Sequence, residues 1–242
     1  KGYQGDDMAS DKRVAACLKH YVGYGASEAG RDYVYTEISG QSLWNTYLPP
    51  YEAGVKAGAA TLMSGFNDIS GVPASANHYT LTEVLKNRWK HDGFVVSDWA
   101  SVVQLVNQGV AANGKEAAEK AFMAGVEMDM VDNCYQEHLA KLVEEGKVPM
   151  QSVDEAVRRV LRVKFRLGLF DHPYTKEIKP EKRFLMPQNL RLVEQLAEET
   201  MVLLKNSDNL LPLSDVKTIA LVGPLAKEQA DLLGSWSGHG RA

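Results

Sequence analysis

Cysteine is almost missing from this chain of 242 residues, which has two. Two thiols make neither a disulfide framework nor a cysteine metal site. Cys17 and Cys134 lie in or just past apolar, strand-like runs, so both are expected to be buried and free. A surplus of one charge is also lacking. With 27 Lys and Arg against 31 Asp and Glu, the net charge is −4. Nothing there attracts a polyanion, and no nucleic-acid partner is expected. Clusters such as Lys12-Arg13 or Lys86 to Lys90 read as solvated helix faces. No apolar run approaches the roughly 20 residues that a membrane-spanning helix needs, so no membrane partner is expected either. The chain opens Lys1-Gly2-Tyr3 without initiator methionine or leader, as an internal piece of a longer protein would. The glycines of Gly23-Tyr24-Gly25 to Gly30 have neither the phosphate-loop nor the dinucleotide spacing, and permit a tight loop instead. No cofactor is called for.

What is present is alternation. Short runs of β-formers at 14–20, 59–66, 93–98 and 126–131 are each followed by helical spacing. Residues 41–56 carry Leu43, Tyr47, Tyr51 and Val55 in register, and Pro49-Pro50 is expected to split them into two short helices. Capping boxes at Thr80 to Glu83 and Ser152 to Glu155 are expected to open helices. Further helices are expected at 101–108, at 115–124 and around Leu139 to Val143. Four strand–helix units, with polar connections after each strand, define an α/β fold of parallel strands that would make half of a (β/α)8 TIM-like barrel. Residues 173–187 are polar, proline-bearing and aperiodic, a linker between a barrel part (1–172) and the beginning of a second domain (188–242). There a helix at 189–206 and a buried strand at 217–223 are expected.

The stretch that organises the rest is Gly93-Phe94-Val95-Val96-Ser97-Asp98-Trp99. A buried parallel strand would deliver Asp98 and Trp99 at its C-terminal end, where barrels keep their reactive groups. Asp98 could equally cap a helix starting near Ser101. Trp99 reads as a platform for a flat ligand or as a residue packed under that helix. Lys19 and His20 end the first strand, as a rim charge and an interior histidine or as a pair of ligand donors. Met63, on the second strand, is core or pocket lining. Asp129 and Asp132 make a poor metal site without a histidine nearby; one paired rim carboxylate and one helix cap is the plainer account, and no metal is expected.

Taken together, Leu18-Lys19-His20-Tyr21, Tyr47-Leu48-Pro49-Pro50-Tyr51, Gly93 to Trp99, Val202-Leu203-Leu204-Lys205-Asn206 with Leu211-Pro212-Leu213, Ala220 to Ala226 and Gly234-Ser235-Trp236 resemble the family 3 glycoside hydrolases, in particular the bacterial periplasmic β-glucosidases. The resemblance implies a retaining mechanism with Asp98 as nucleophile, and Lys19, His20, Met63 and Trp99 around the sugar being cleaved. It implies an oligosaccharide or β-glycoside substrate, and a periplasmic or secreted location. It also implies a second domain of α/β sandwich type that holds the acid/base glutamate, outside this chain. Phe66 stands where some relatives place a tyrosine. Gly23-Tyr24-Gly25 replaces the Gly-His-Gly of the N-acetylglucosaminidase branch, which excludes that branch. The alternatives are a carbohydrate-binding fragment without turnover, or a barrel aldolase using Lys19 as a Schiff base. A lone half-barrel would need the missing segments of the same polypeptide, or a second copy, as partner.

Overall fold

The computed structural model describes residues 1–174, 185–234 and 237–238. The chain divides into two compact units, Lys1–Lys176 and Glu177–Ala242. Most of the linker expected at 173–187, and two residues of Gly234-Ser235-Trp236, lie outside the described residues.

The first unit is α/β. β1 (Cys17–Tyr21), β2 (Thr61–Ser64) and β5 (Phe94–Val96) form a parallel sheet in that order. Leu62 faces Val95 across β2 and β5, and both are fully buried, as strands covered on two faces must be. The pairing of β1 with β2 shifts register between Leu18 and Tyr21, and the peptide bonds Lys19–His20 and Tyr21–Val22 are cis. A short hairpin, β3 (Asp68–Ile69) with β4 (Val72–Pro73), follows β2. The expected fourth strand is reduced to a single parallel bridge, Val96 to Met128. Extended backbone is present there, since Ser97 N–H donates to Met128 O and Met128 N–H to Val95 O. Val131 and Asn133 then turn left-handed, which ends the ladder.

The helix between β1 and β2 restarts at Pro49, as expected. The chain runs through α1 (Gly40–Ser42), a π-wound turn (Leu43–Tyr47) and α2 (Pro49–Lys56), and Leu48 keeps helical angles. Leu48 N–H donates to Leu43 O, five residues back, so the widened turn precedes the prolines, which occupy α2's first turn where their missing donors cost nothing. The first capping box does not form. A π-wound helix spans Tyr79–Arg88, and Asn77 Oδ1 accepts from Thr80 N–H in place of the Thr80 hydroxyl. Of the helix expected at 101–108 only α3 (Gln104–Asn107) is regular, after a run of turns. α4 (Gly114–Ala124) is capped by Asn113, whose side chain accepts from Glu116 N–H, and α5 spans Cys134–Glu144. α6 (Met150–Arg166) begins two residues before Ser152, so the second box also falls inside its helix.

Two apolar clusters carry the unit. One packs Tyr21, Leu62, Leu81, Leu85 and Val95 around the sheet. The other packs Leu105, Ala117, Ala121 and Leu142 among α3, α4 and α5. Between them a buried charge network closes the end of β5 away from Asp98. Glu127 pairs with Lys86, lies 3.9 Å from Arg159 Nε, and accepts Val95 N–H at 2.7 Å. Arg159 donates to the carbonyls of His91 and Gly93.

In the second unit α7 (Pro187–Glu199) is shorter than the helix expected at 189–206. Residues 217–223 form no strand. A strand exists through its partners, and here Ile219, Leu221 and Val222 stay exposed.

Candidate active site

Asp98 follows β5 and is 7% exposed. Its two oxygens differ. Oδ1 accepts Trp99 N–H at 2.7 Å. Oδ2 is shielded from water, has no hydrogen-bond partner, and lies 3.4 Å from His20 Nε2 without hydrogen-bond alignment. Asp98 does not cap α3, which starts six residues later; only its main-chain carbonyl takes part in the turn, accepting Ser101 N–H. Ser97, fully buried, fixes the crossing: its hydroxyl donates to Asp98 O and accepts Met130 N–H.

β1 supplies the second wall. Its irregular end is tied by side-chain hydrogen bonds to three other segments. Tyr51 donates to His20 O at 2.6 Å, Tyr21 to Thr80 O at 2.9 Å, and Asn67 to Val22 O at 3.2 Å. His20 is half-buried, and burial moves its pKa below the usual value while the Asp98 charge opposes that shift. A neutral imidazole therefore faces the carboxylate near neutral pH. Lys19 is exposed, and its charge adds to the downward shift of His20. Met63 is half-buried on β2, opposite Val96, and Trp99 is 52% exposed.

The structure thus brings His20 against Asp98, and joins Lys19 and Trp99 to them through the chain. A depression of about 500 Å³ opens beside Lys19 and His20, bounded by Tyr24, Tyr47 and Tyr51; Asp98 does not line it. Phe66 is buried rather than a pocket wall, covered by Tyr33 at 4.5 Å and Tyr24 at 6.2 Å between ring centroids. Tyr24 also lies 5.0 Å from the His20 ring. Tyr24, Tyr51, Asn67 and Ser97 escape sequence reasoning, because nothing local marks a side chain that serves a distant strand.

Asp129 and Asp132 take up the backbone of α5. Asp129 accepts Tyr135 N–H, and Asp132 accepts Cys134 N–H and Val103 N–H. Their ligand atoms and the Cys134 sulfur lie within 4.8 Å of one another. Burial, then Asp132, pushes the Cys134 thiol up to about 12, away from the thiolate a metal takes. Cys134 is buried and free as expected, but Cys17 is exposed, because the outer side of β1 has no neighbour among the described residues.

A carboxylate, a histidine and a lysine therefore lie at or just past the C-terminal ends of parallel strands, the end at which α/β barrels carry their reactive groups. Residues 1–163 match the family described as glycosyl hydrolase family 3 N terminal domain. The chain belongs to glycosyl hydrolase family 3. It is 39% identical to a periplasmic β-glucosidase of Salmonella typhimurium, over 100% of this chain and 32% of that protein. It is 36% identical to a putative β-xylosidase of Formosa agariphila, over 94% and 31%. A β-glucosidase from Listeria innocua, solved in complex with glucose, superposes with a TM-score of 0.86 at 40% identity, covering 99% of this chain and 33% of that one. The chain spans about a third of the length of the relatives it matches.

Proposed function

We propose that the full-length protein is a retaining β-glycosidase of the β-glucosidase type, releasing a terminal β-linked glucose or similar sugar through a glycosyl-enzyme ester on Asp98. One observation carries this reading: a buried carboxylate at a strand end with one oxygen held by Trp99 N–H and the other left unpartnered. A buried polar atom without a partner calls for an explanation, and a bond from Oδ2 to an anomeric carbon supplies one. Retention needs a second, protonated carboxyl about 5–5.5 Å away. This chain assigns none, so the acid/base belongs to the part of the polypeptide beyond it.

In this reading Lys19 and His20 bind hydroxyls of the cleaved sugar, Trp99 offers its face to the ring, and Met63 lines the pocket. Residues 1–172 are the C-terminal half of a (β/α)8 barrel, 173–187 a linker and 188–242 the beginning of a sandwich domain. Parallel order β1-β2-β5 with its continuation at Met128 supports the half-barrel. The missing segments of the polypeptide complete the barrel, and the location is periplasmic, as the name of the Salmonella relative suggests. Exposure of Lys19 removes the desolvation a Schiff-base lysine relies on.

The test is covalent trapping. A 2-deoxy-2-fluoro β-glucoside should leave its label on the peptide containing Asp98, and Asp98→Asn should abolish turnover with the fold intact. A label on any other carboxylate would overturn the assignment.

A further inference from the structure

Ala100, two residues past Asp98, has φ of 54°. Glycine reaches that left-handed conformation freely, whereas alanine keeps it only when its surroundings impose it. The residue lies inside a tight turn. Asp98 O accepts Ser101 N–H at 3.1 Å, and Asp98 Oδ1 accepts the N–H of Trp99 within the same turn. The strained residue and the candidate nucleophile therefore share one short piece of backbone.

What imposes the turn comes from both neighbours of β5. The segment that bridges β5 at Met128 supplies one hold: Ala100 N–H donates to Met130 O at 3.0 Å. From the side of β2 come three serine hydroxyls in a row. Ser64, the last residue of β2, bonds Ser75 at 2.8 Å, and Ser75 bonds Ser101 at 2.8 Å. All three residues are buried, at 0%, 2% and 3% exposure, so the hydroxyls find their partners in one another rather than in water. Ser75 is itself fixed. It sits in the turn Ala74–Ala76, where Ala74 N–H donates to Asn67 O at 2.9 Å, and Asn77 beyond it accepts Thr80 N–H at the entry of the next helix. A core that needed only bulk here would be served by alanine, with no hydroxyl to desolvate.

We propose, building on the glycosidase reading above, that Ser64, Ser75 and Ser101 are positioning residues for Asp98. Their hydrogen-bonded chain keeps Ala100 left-handed, and so keeps the Asp98 carboxylate seated on Trp99 N–H with Oδ2 directed at the sugar. Ser75 is the joint, since both bonds pass through it. Without its hydroxyl, Ala100 relaxes toward an ordinary φ, the peptides on either side of it turn, and the carboxylate loses the support of one oxygen and the direction of the other. Attack needs the reacting atoms about 3–3.5 Å apart and aligned, so a small displacement slows bond formation more than it weakens the binding of the sugar.

The test uses the full-length protein and a 2-deoxy-2-fluoro β-glucoside with a dinitrophenolate leaving group. That group departs with its electron pair as Oδ2 bonds the anomeric carbon, and needs no general acid. Ser75→Ala should slow the saturating rate of labelling by about tenfold, with the half-saturating concentration within about twofold and the label still on Asp98. In an Ala100→Gly background the left-handed turn no longer has to be imposed, and the same substitution should slow labelling by less than about threefold. Ser75→Cys weakens both bonds without emptying the site, and serves should Ser75→Ala not fold; its loss should depend on background in the same way. An unchanged rate, a loss confined to the half-saturating concentration, or equal losses in both backgrounds would overturn the positioning role and leave the glycosidase reading in place. A wild-type protein that takes no label on Asp98 would end that reading and this proposal together.

Discussion

Two buried or half-buried residues away from the active site titrate against expectation, and in opposite senses. Burial, then its neighbour Asp132, pushes Asp129 up to about 7. Burial lowers His91 to about 4, and its Nε2 has no hydrogen-bond partner. For Asp129 the folded state keeps a proton that the unfolded chain releases near 3.8, so stability is full at low pH and declines as pH rises toward 7. For His91 the unfolded chain takes up its proton below 6.5 but the folded state only near 4, so stability is full above 6.5 and is lost as pH falls toward 4. The two slopes oppose one another over one interval. The His91 contribution is on the order of 3 kcal/mol, since each tenfold change in proton affinity is worth about 1.4 kcal/mol; that of half-buried Asp129 is weakened by solvent screening. Asp129→Asn should therefore expose a steeper loss of stability between pH 6.5 and 4, and His91→Gln a loss toward pH 7, both read by chemical denaturation across pH. Parallel pH profiles for wild type and both variants would contradict this. Neither residue is legible in sequence, where His91 is one of three polar residues in Lys90-His91-Asp92 before a strand.

At the scale of elements, the pair Lys86–Glu127 does what a fifth strand residue would otherwise do. Glu127 gives Val95 N–H an acceptor where β5 meets the fourth run through the single bridge of Val96 and Met128. Both side chains are buried, at 10% and 6% exposure, and burial moves the Lys86 ammonium below its ordinary pKa despite Glu127. Glu127→Ala leaves a cation buried beside Arg159, which typically costs about 3–5 kcal/mol, close to the full margin of a domain. Denaturation with urea should show that loss, and a change within about 1 kcal/mol would mean that water already screens the network. The strands themselves were readable, because Leu62, Val95 and their neighbours make buried parallel runs of the expected composition. Their ends were not. Cross-chain donors such as Tyr51 and Asn67 terminate β1, and the left-handed residues at 131 and 133 terminate the fourth run. The capping boxes failed because both helices start earlier than the boxes: Tyr79 precedes Thr80, with Asn77 accepting Thr80 N–H at that entry, and Met150 precedes Ser152.

For the molecule as a whole, the α/β class and the family were legible, since the motifs span the chain and keep their order. The nucleophile candidate was legible from one abrupt change, apolar strand to Asp98. Its asymmetry was not, because an oxygen left without a partner is a property of three dimensions. Nor was the loop 23–36, whose glycines mark a turn while its tyrosines acquire meaning only when stacked over Phe66 and beside His20.

The exposed sulfur on β1 has a practical side. Cys17 is exposed on the first strand, two residues before Lys19, while Cys134 is buried with its thiol raised to about 12. Thiolate is the reacting species, so the two differ both in access and in the fraction available at neutral pH, although partial burial raises Cys17 as well. A maleimide dye at neutral pH should therefore attach once, at Cys17, as intact mass and peptide mapping would show; a second label under native conditions would mean that α5 opens readily. A fluorophore so placed sits on the strand that carries His20, at a point that needs no engineered residue. If the proposed glycosidase reading holds, the arrival of a sugar at the rim should then change its colour or brightness, which can be followed in real time.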